Sequence, residues 1–454
     1  MPNAEPSPPQ DLPTFLAAVR AAGVLHPAQL ERLNSGLPPT VTDAVRAAHW
    51  LIAESILTRF QAERLLAGKT EGLVLDGYVI LEPIGQSAGG RVFKAWHRPM
   101  NRMAAVKIVA SQFTRTDDDR RALHQEVQAA ARLTHPNVVT VWDVNNFGPR
   151  FYLVREYVEG ASADLIVKQA GPMPVSVASE VIRQAALGLQ HAHEKNLPHG
   201  AVMPSNLLVA LKPGHTTVKV TNFVLGRLAG NTHANSAVAS TEPDPADYRA
   251  PERSDANSAP TPAGDLYSLG CILYFLLAGE PPFQGGTAAE KVNRHRSEAP
   301  PEIELIRPEV PAGVASVIRR LLGKTPESRP ASAAEVAGLL AMFSESTAAS
   351  SGRWPIPATM GPPSGRLVPQ IPTPKAVSPW AGIDDEPAPA TVEDSAQPTP
   401  LNTPKVPRTY AANAPSEDGL PQALLIGVVA GIVIATMVAG WFLIRLVERM
   451  AGSG

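Results

Sequence analysis

Between Tyr78 and Val158 the chain alternates short β-type runs with turn residues, and after Gly160 that texture stops. "YVILEPIG", "RVFKAWH" and "MAAVKIV" are followed by a helical pattern, "DDDRRALHQEVQAAARL", and then by "VVTVWDV" and "FYLVREYV". From Gly160 to about Met342 helical patterns dominate. Strands gathered first and helices second predict an α+β architecture with two lobes, not a doubly wound sheet.

The flanks differ from this body. Residues 1–10 read as a polar, Pro-rich disordered tail. Residues 11–68 place apolar side chains at spacings of three and four in "FLAAVRAAG", "AQLERLN", "AVRAAHWLIAES" and "RFQAERLLAG", with breaks at Gly23, Gly36-Leu-Pro-Pro39 and Gly68. That is a small helical module whose helices are too short to be stable without packing on something. Residues 345–421 hold 16 of the 46 prolines and almost no apolar run, which predicts an extended disordered linker. Ala423 to Ile444 then form an uncharged apolar stretch of 22 residues. At about 1.5 Å rise per residue this spans the roughly 30 Å hydrocarbon core, so a single transmembrane helix is expected, closed by Arg445 and a short tail over 445–454. With no signal-peptide pattern ahead of it, the expected placement is the cytoplasmic (inner) membrane with the body in the cytoplasm.

Lys plus Arg (40) nearly balance Asp plus Glu (42), so charge gives no reason to expect a nucleic-acid partner. The one cysteine, Cys271 in "LGCILYFLLAG", excludes an internal disulfide and reads as a small core residue.

Several motifs follow one another along residues 78–342. "GQSAGGRV" is a glycine turn between two strand-like runs, with Gly85, Gly90 and Val92 at fixed spacing and Ile84 before it. Lys107 in "AAVKIV", Glu126 in "HQEVQAAARL", "VREYVEG", "HGAVMPSN", "VTNFVLGR", "YRAPE", "DLYSLG" and Arg329 succeed it. In this order and spacing the chain resembles bacterial membrane-anchored serine/threonine protein kinases, and so implies their bilobal fold. The resemblance gives the glycine loop and Lys107 to nucleotide phosphates, Glu126 to Lys107, and the backbone at Glu156 and Val158 to adenine. It places Asn206 and Asn222 at the metal-linked positions of the nucleotide site. Arg155 takes the position at the back of the adenine pocket. Ala250-Pro251-Glu252 with Arg329, and Asp265, match scaffold residues of the helical lobe.

The departures gather where chemistry is done. In "HGAVMPSN" Gly200 stands where the family has an Arg, Ala201 where it has the catalytic base, and Met203 where it has a Lys on the transferring phosphate. Asn222-Phe223-Val224 replaces the metal-binding Asp-Phe-Gly, Ser87 replaces the middle glycine, and Pro245 falls on the substrate-loop Thr. Losing a general base costs about 10²–10⁴ in rate. Mg²⁺ is normally held by at least one carboxylate, which Asn222 lacks. From an ordinary turnover of about 1–100 s⁻¹ little useful activity would remain.

The expectation is therefore a pseudokinase: no catalytic residue, no metal ligand, ATP bound weakly or not at all, and Mg²⁺ not held. Its role would be a membrane-tethered scaffold or binding module, with a protein partner such as an active kinase. Two alternatives stand beside it. One is an atypical active serine/threonine kinase using a displaced acid such as Glu194 or Asp247. The other is a kinase-like spacer whose function lies in the N-terminal helices.

Overall fold

The computed structural model describes residues 11–87, 89–212, 215–223, 244–253 and 258–344. The expected N-terminal tail, the Pro-rich linker 345–421, the apolar stretch 423–444, the tail after it and Val224 lie outside the described residues.

Four short helices come first: α1 (Leu12–Ala21), α2 (Pro27–Asn34), α3 (Ala44–Ala53) and α4 (Arg59–Leu66). Each begins on a side-chain cap (Asp11, His26, Asp43 and Thr58), which satisfies backbone donors that such short helices leave open. They bury Phe15, Val19, Leu33, Ala47, Leu51 and Leu65 among themselves. The module is also fastened to the sheet that follows. Gln61 Nε2 donates to the Ile80 carbonyl at 2.8 Å and Thr58 Oγ1 donates to the Leu81 carbonyl. The rings of Phe60 and Phe93 lie 5.8 Å apart, and Arg98 donates to the carbonyls of Gly23 and Leu25.

The sheet has six antiparallel strands, β1 (Val74–Leu75), β2 (Tyr78–Ser87), β3 (Gly90–His97), β4 (Arg102–Val109), β5 (Val141–Phe147) and β6 (Arg150–Glu156), in the order β1-β2-β3-β4-β6-β5. β2, β3 and β4 form a meander, and the register places Val92 opposite Lys107 and Lys107 opposite Leu153. Between β4 and β5 lies α5 (Asp117–Ala130), started by a Thr116–Asp119 capping box and three first-turn aspartates. It buries Leu123, Val127 and Ala130, so Glu126 sits at the margin of its apolar face.

The second lobe contains α6 (Ala163–Ala170), α7 (Val175–Glu194), α8 (Pro262–Ala278), α9 (Ala288–Ser297), α10 (Ile303–Ile306), α11 (Ala312–Leu321) and α12 (Ala333–Ser344). α8 is buried from Gly264 to Leu277, as a helix apolar on all sides must be. Cys271 is fully buried there, and burial pushes its thiol pKa far up, so it is a core residue. The helical reading after Gly160 missed a three-stranded sheet, β7 (Ala161–Ser162), β8 (Leu207–Lys212) and β9 (His215–Val220). "LLVALK" is a short apolar run whose periodicity does not separate a strand from a buried helix turn. β9 meets the first lobe through the bonds Val139 N to Val220 O and Val220 N to Asn137 O, both 2.8 Å.

Candidate functional site

The loop before β8 is held in shape by Asp265. Its carboxylate accepts the backbone N–H groups of His199 (2.7 Å) and Gly200 (2.8 Å) and contacts His193 Nε2 at 2.8 Å. The His199 ring is wholly buried. Its Nδ1 accepts the Ala201 N–H at 3.2 Å, so Nε2 carries the proton and donates to the Thr221 carbonyl at 2.9 Å. Burial pulls the His199 pKa down, which keeps it neutral. His199 and Asp265 thus fix the backbone on which a catalytic base would stand.

At that position Ala201 offers only a methyl group, and its carbonyl accepts Asn206 Nδ2 at 2.8 Å. Met203, at the phosphate-contacting Lys position, packs on the hydrophobic core of the helical lobe. Gly200 has φ +76°, and an added Cβ would lie 2.7 Å from Pro260 Cγ. Arg253 reaches this spot from the far end of "YRAPE" and donates to the Gly200 carbonyl. The space beside Gly200 is therefore filled by Pro260 and Arg253.

The metal-linked positions form one amide pair. Asn222 Nδ2 donates to Asn206 Oδ1 at 2.6 Å. Asn222 Oδ1 accepts from Arg155 Nη1 at 3.1 Å and from Lys107 Nζ at 3.3 Å. Arg155 Nη1 also donates to Thr221 Oγ1. The cationic donors fix which end of the Asn222 amide is oxygen. Asn222 holds φ +70°, a left-handed conformation that Asn tolerates better than most side chains. Lys107 is 2% exposed. Burial alone lowers the Arg155 pKa to about 10, so the guanidinium remains charged at neutral pH. Behind these groups is a cavity of about 30 Å³, walled by Leu133, Val141, Leu153 and Phe223 as well as by Lys107 and Arg155.

This donor set does not fit Mg²⁺. The ion prefers near-octahedral oxygen ligands with at least one carboxylate. Here both side-chain oxygens are amides already accepting hydrogen bonds, and a dication would have to sit beside Lys107 and Arg155.

The remaining residues read from the sequence lie around this centre. Gly90, at the base of the glycine turn, has φ +123°, and a Cβ there would come 1.9 Å from the Ile108 carbonyl. Gly85 pairs with Val92 across β2 and β3, Val92 is buried, and Ile84 is 43% exposed at the mouth. Glu126 is half-buried on α5, with Oε2 screened from solvent. Glu156 ends β6; its backbone N–H donates to Thr140 O, and its carboxylate pairs with Lys219 of β9 at 2.9 Å. Val158 follows it, with its carbonyl accepting Gly160 N–H at 3.0 Å.

On the substrate side Pro245 opens a short 3₁₀ turn, Pro245–Tyr248, capped by Asp244. Lys291 of α9 pairs with Asp244 at 3.0 Å and Asp247 at 2.7 Å, anchoring the turn to the helical lobe. Glu252 and Arg329 form a two-pronged pair at 2.7 and 2.8 Å, and Arg329 also donates to the carbonyls of Gly323 and Ala263. Sequence reasoning did not find Thr221, Lys219, Lys291 or Arg253. Only Arg253, adjacent to the Ala-Pro-Glu motif, carried a positional signal.

The protein kinase domain family matches residues 78–338. The chain is 32% identical over 268 residues to the serine/threonine-protein kinase PknB of Mycobacterium leprae, covering 58% of this chain and 42% of that protein. It is 30% identical over 256 residues to PrkC of Bacillus subtilis, covering 56% and 38%. The chain thus spans about two fifths of the length of these curated relatives. Among solved structures, Rad53 residues 1–466 in complex with AMP-PNP superposes with a TM-score of 0.50 at 23% identity, over 62% of this chain and 69% of that one, a likeness of fold.

Proposed function

The chain belongs to the protein kinase domain family, and from that premise we propose that it is a pseudokinase, a kinase fold kept as a binding module and not as a phosphotransferase. The observation that carries this reading is the saturation of Asn222, whose oxygen accepts from Lys107 and Arg155 while its nitrogen donates to Asn206. Phosphoryl transfer works by positioning and by neutralising charge on the phosphoryl oxygens. In this arrangement the metal-linked positions bond to each other, Ala201 can take no proton, and Met203 is turned into the core. ATP, if it binds, is held weakly through Lys107 and the glycine turn and without Mg²⁺.

The frame that partners would recognise is retained. The Asp265 brace, the Glu252–Arg329 pair and the anchored Pro245 turn give the helical lobe a fixed surface. We propose a protein partner for it, an active kinase being the first candidate, with the module held at the cytoplasmic membrane through Ala423–Ile444. A detergent-free extraction that recovers a chain ending at Gly419 but not the full chain supports the anchor; equal recovery of both removes it.

Catalysis is tested on the full chain in detergent, incubated with labelled ATP, Mg²⁺ or Mn²⁺, and a general protein substrate. No incorporation above background is expected. The names of its relatives and the presence of Lys107, Glu126 and Gly90 favour the second reading, an active serine/threonine kinase. Metal-dependent labelling that disappears in Lys107→Met establishes that reading in place of the first.

A further inference from the structure

The cavity behind the strand β6 hinge has an unusual combination of size and charge. At about 30 Å³ it has room for one or two water-sized bodies, far below the roughly 300–1,000 Å³ of organic-ligand pockets. Two cations line it, Lys107 and Arg155, and none of its lining residues is acidic. Both cationic nitrogens converge on one oxygen, Asn222 Oδ1, at 3.3 and 3.1 Å. They therefore lie within about 6.4 Å of each other, a limit set by the sum of those two distances. Among the described residues Arg155 makes both its side-chain hydrogen bonds through Nη1, to Thr221 and Asn222.

We infer that this cavity is a binding site for a small monovalent inorganic anion of the chloride class, seated between the Lys107 ammonium and the Arg155 guanidinium. A neutral amide oxygen supplies only a partial charge to two buried cations, and burying such charge is costly unless it is compensated. The lowering of Arg155 toward 10 has burial as its cause, with no carboxylate acting against it. The apolar walls, Leu133, Val141, Leu153 and Phe223, favour an ion with a thin hydration shell over a strongly hydrated one. They also leave no room for a tetrahedral oxyanion with its own water. This inference extends to a ligand of the same centre and holds whether or not the chain transfers phosphate.

The test is thermal unfolding of the full chain in detergent, with sodium chloride exchanged for sodium gluconate at constant ionic strength. Chloride is expected to raise Tm along a saturating curve, as a ligand bound only to the folded state does. The curve should be lost in Arg155→Leu and weakened in Arg155→Lys, which keeps the charge but not the planar donor fork. A Tm indifferent to chloride, or one that climbs equally in Arg155→Leu, overturns the site. Inorganic phosphate is the second arm: a saturating rise with phosphate and none with chloride overturns the assignment to a small anion. Bromide-soaked crystals of the parent chain check the position without any variant. An anomalous peak is expected within about 4 Å of both Lys107 Nζ and the Arg155 guanidinium, a reach set by ordinary charge-assisted contact. A data set with no peak there rejects the site.

Discussion

Arg155 Nη1 lies 3.1 Å from Asn222 Oδ1, and this contact changes what each residue does. From the sequence, Arg155 is a long cation crowding an adenine pocket and Asn222 a metal ligand that has lost its charge. In the structure the guanidinium turns inward, and the positive charge that a kinase draws from a metal is supplied at this position by side chains. The substitutions at positions 155 and 222 are two halves of one arrangement.

The first prediction concerns Asn222→Asp. On sequence grounds a partly buried carboxylate here would destabilise the domain. With Lys107 and Arg155 both on the same oxygen, the new carboxylate instead gains two charge-assisted bonds, each about 1.5–3 kcal/mol against about 1 for a neutral one. It loses the donor to Asn206. The expected result is a Tm higher by roughly 1–3 °C, unchanged by Mg²⁺. A Tm that falls, or that rises only when Mg²⁺ is added, contradicts the assigned network.

A second prediction rests on the Arg329 side chain, which is fully buried and pairs with a quarter-exposed Glu252. Removing one partner of a buried pair leaves a charge without compensation and costs about 3–5 kcal/mol. Glu252→Ala should lower the urea midpoint accordingly, and the double variant Glu252→Ala with Arg329→Met should recover part of the loss. If the double variant is as unstable as the sum of the two single ones, the pair is not coupled as described.

Deleting residues 1–66 gives a third. Thr58 and Gln61 bond to the β2 backbone and Phe60 stacks near Phe93, so the deletion uncovers one face of the sheet. Phe60→Ala alone is expected to cost about 3–5 kcal/mol. A chain beginning at Lys69 should melt well below the parent and expose β2 to hydrogen exchange. Equal melting temperatures would make the helical module independent and revive the spacer reading.

The fourth concerns acid. His295 is 1% exposed, its Nδ1 faces Tyr267 Oη at 2.9 Å, and burial lowers its pKa to about 4. A folded pKa below the unfolded value of about 6.5 means that the unfolded chain binds the proton first. This residue's contribution is therefore fully present above pH 6.5 and is lost as pH falls toward 4, at most about 3 kcal/mol over that window. His199 shifts in the same direction. In His295→Gln the fall of Tm between pH 7 and 5 should be shallower than in the parent; parallel curves would remove His295 from the acid limb.

Order and spacing along the chain were enough to assign the two lobes, the Asp265 brace, the Glu252–Arg329 pair and the places of Lys107, Asn206 and Asn222. Side-chain direction was not readable. Arg155 could be given its position but not its rotamer, because the hydroxyl and amide that draw it inward lie 66 and 67 residues away. Glu156 was read for its backbone, and its pairing with Lys219 depends on how β9 meets β6. The β8–β9 hairpin was missed because a short apolar run looks alike in a strand and in a buried helix. Gly200 was read as a lost phosphate receptor, but that Pro260 and Arg253 close the space around it follows only from the fold.

The left-handed backbone at Asn222 also bears on heredity. Few residues accept φ near +70°: glycine freely, asparagine and aspartate with little penalty, and the rest at a cost of roughly 1–2 kcal/mol. Drift at this codon is thereby confined to a narrow set, of which aspartate is one transition away in the genetic code. A lineage could regain that carboxylate in a single step and still recover no catalyst, since the acid would arrive between Lys107 and Arg155 and be neutralised on the spot. Reversion would have to begin at Arg155.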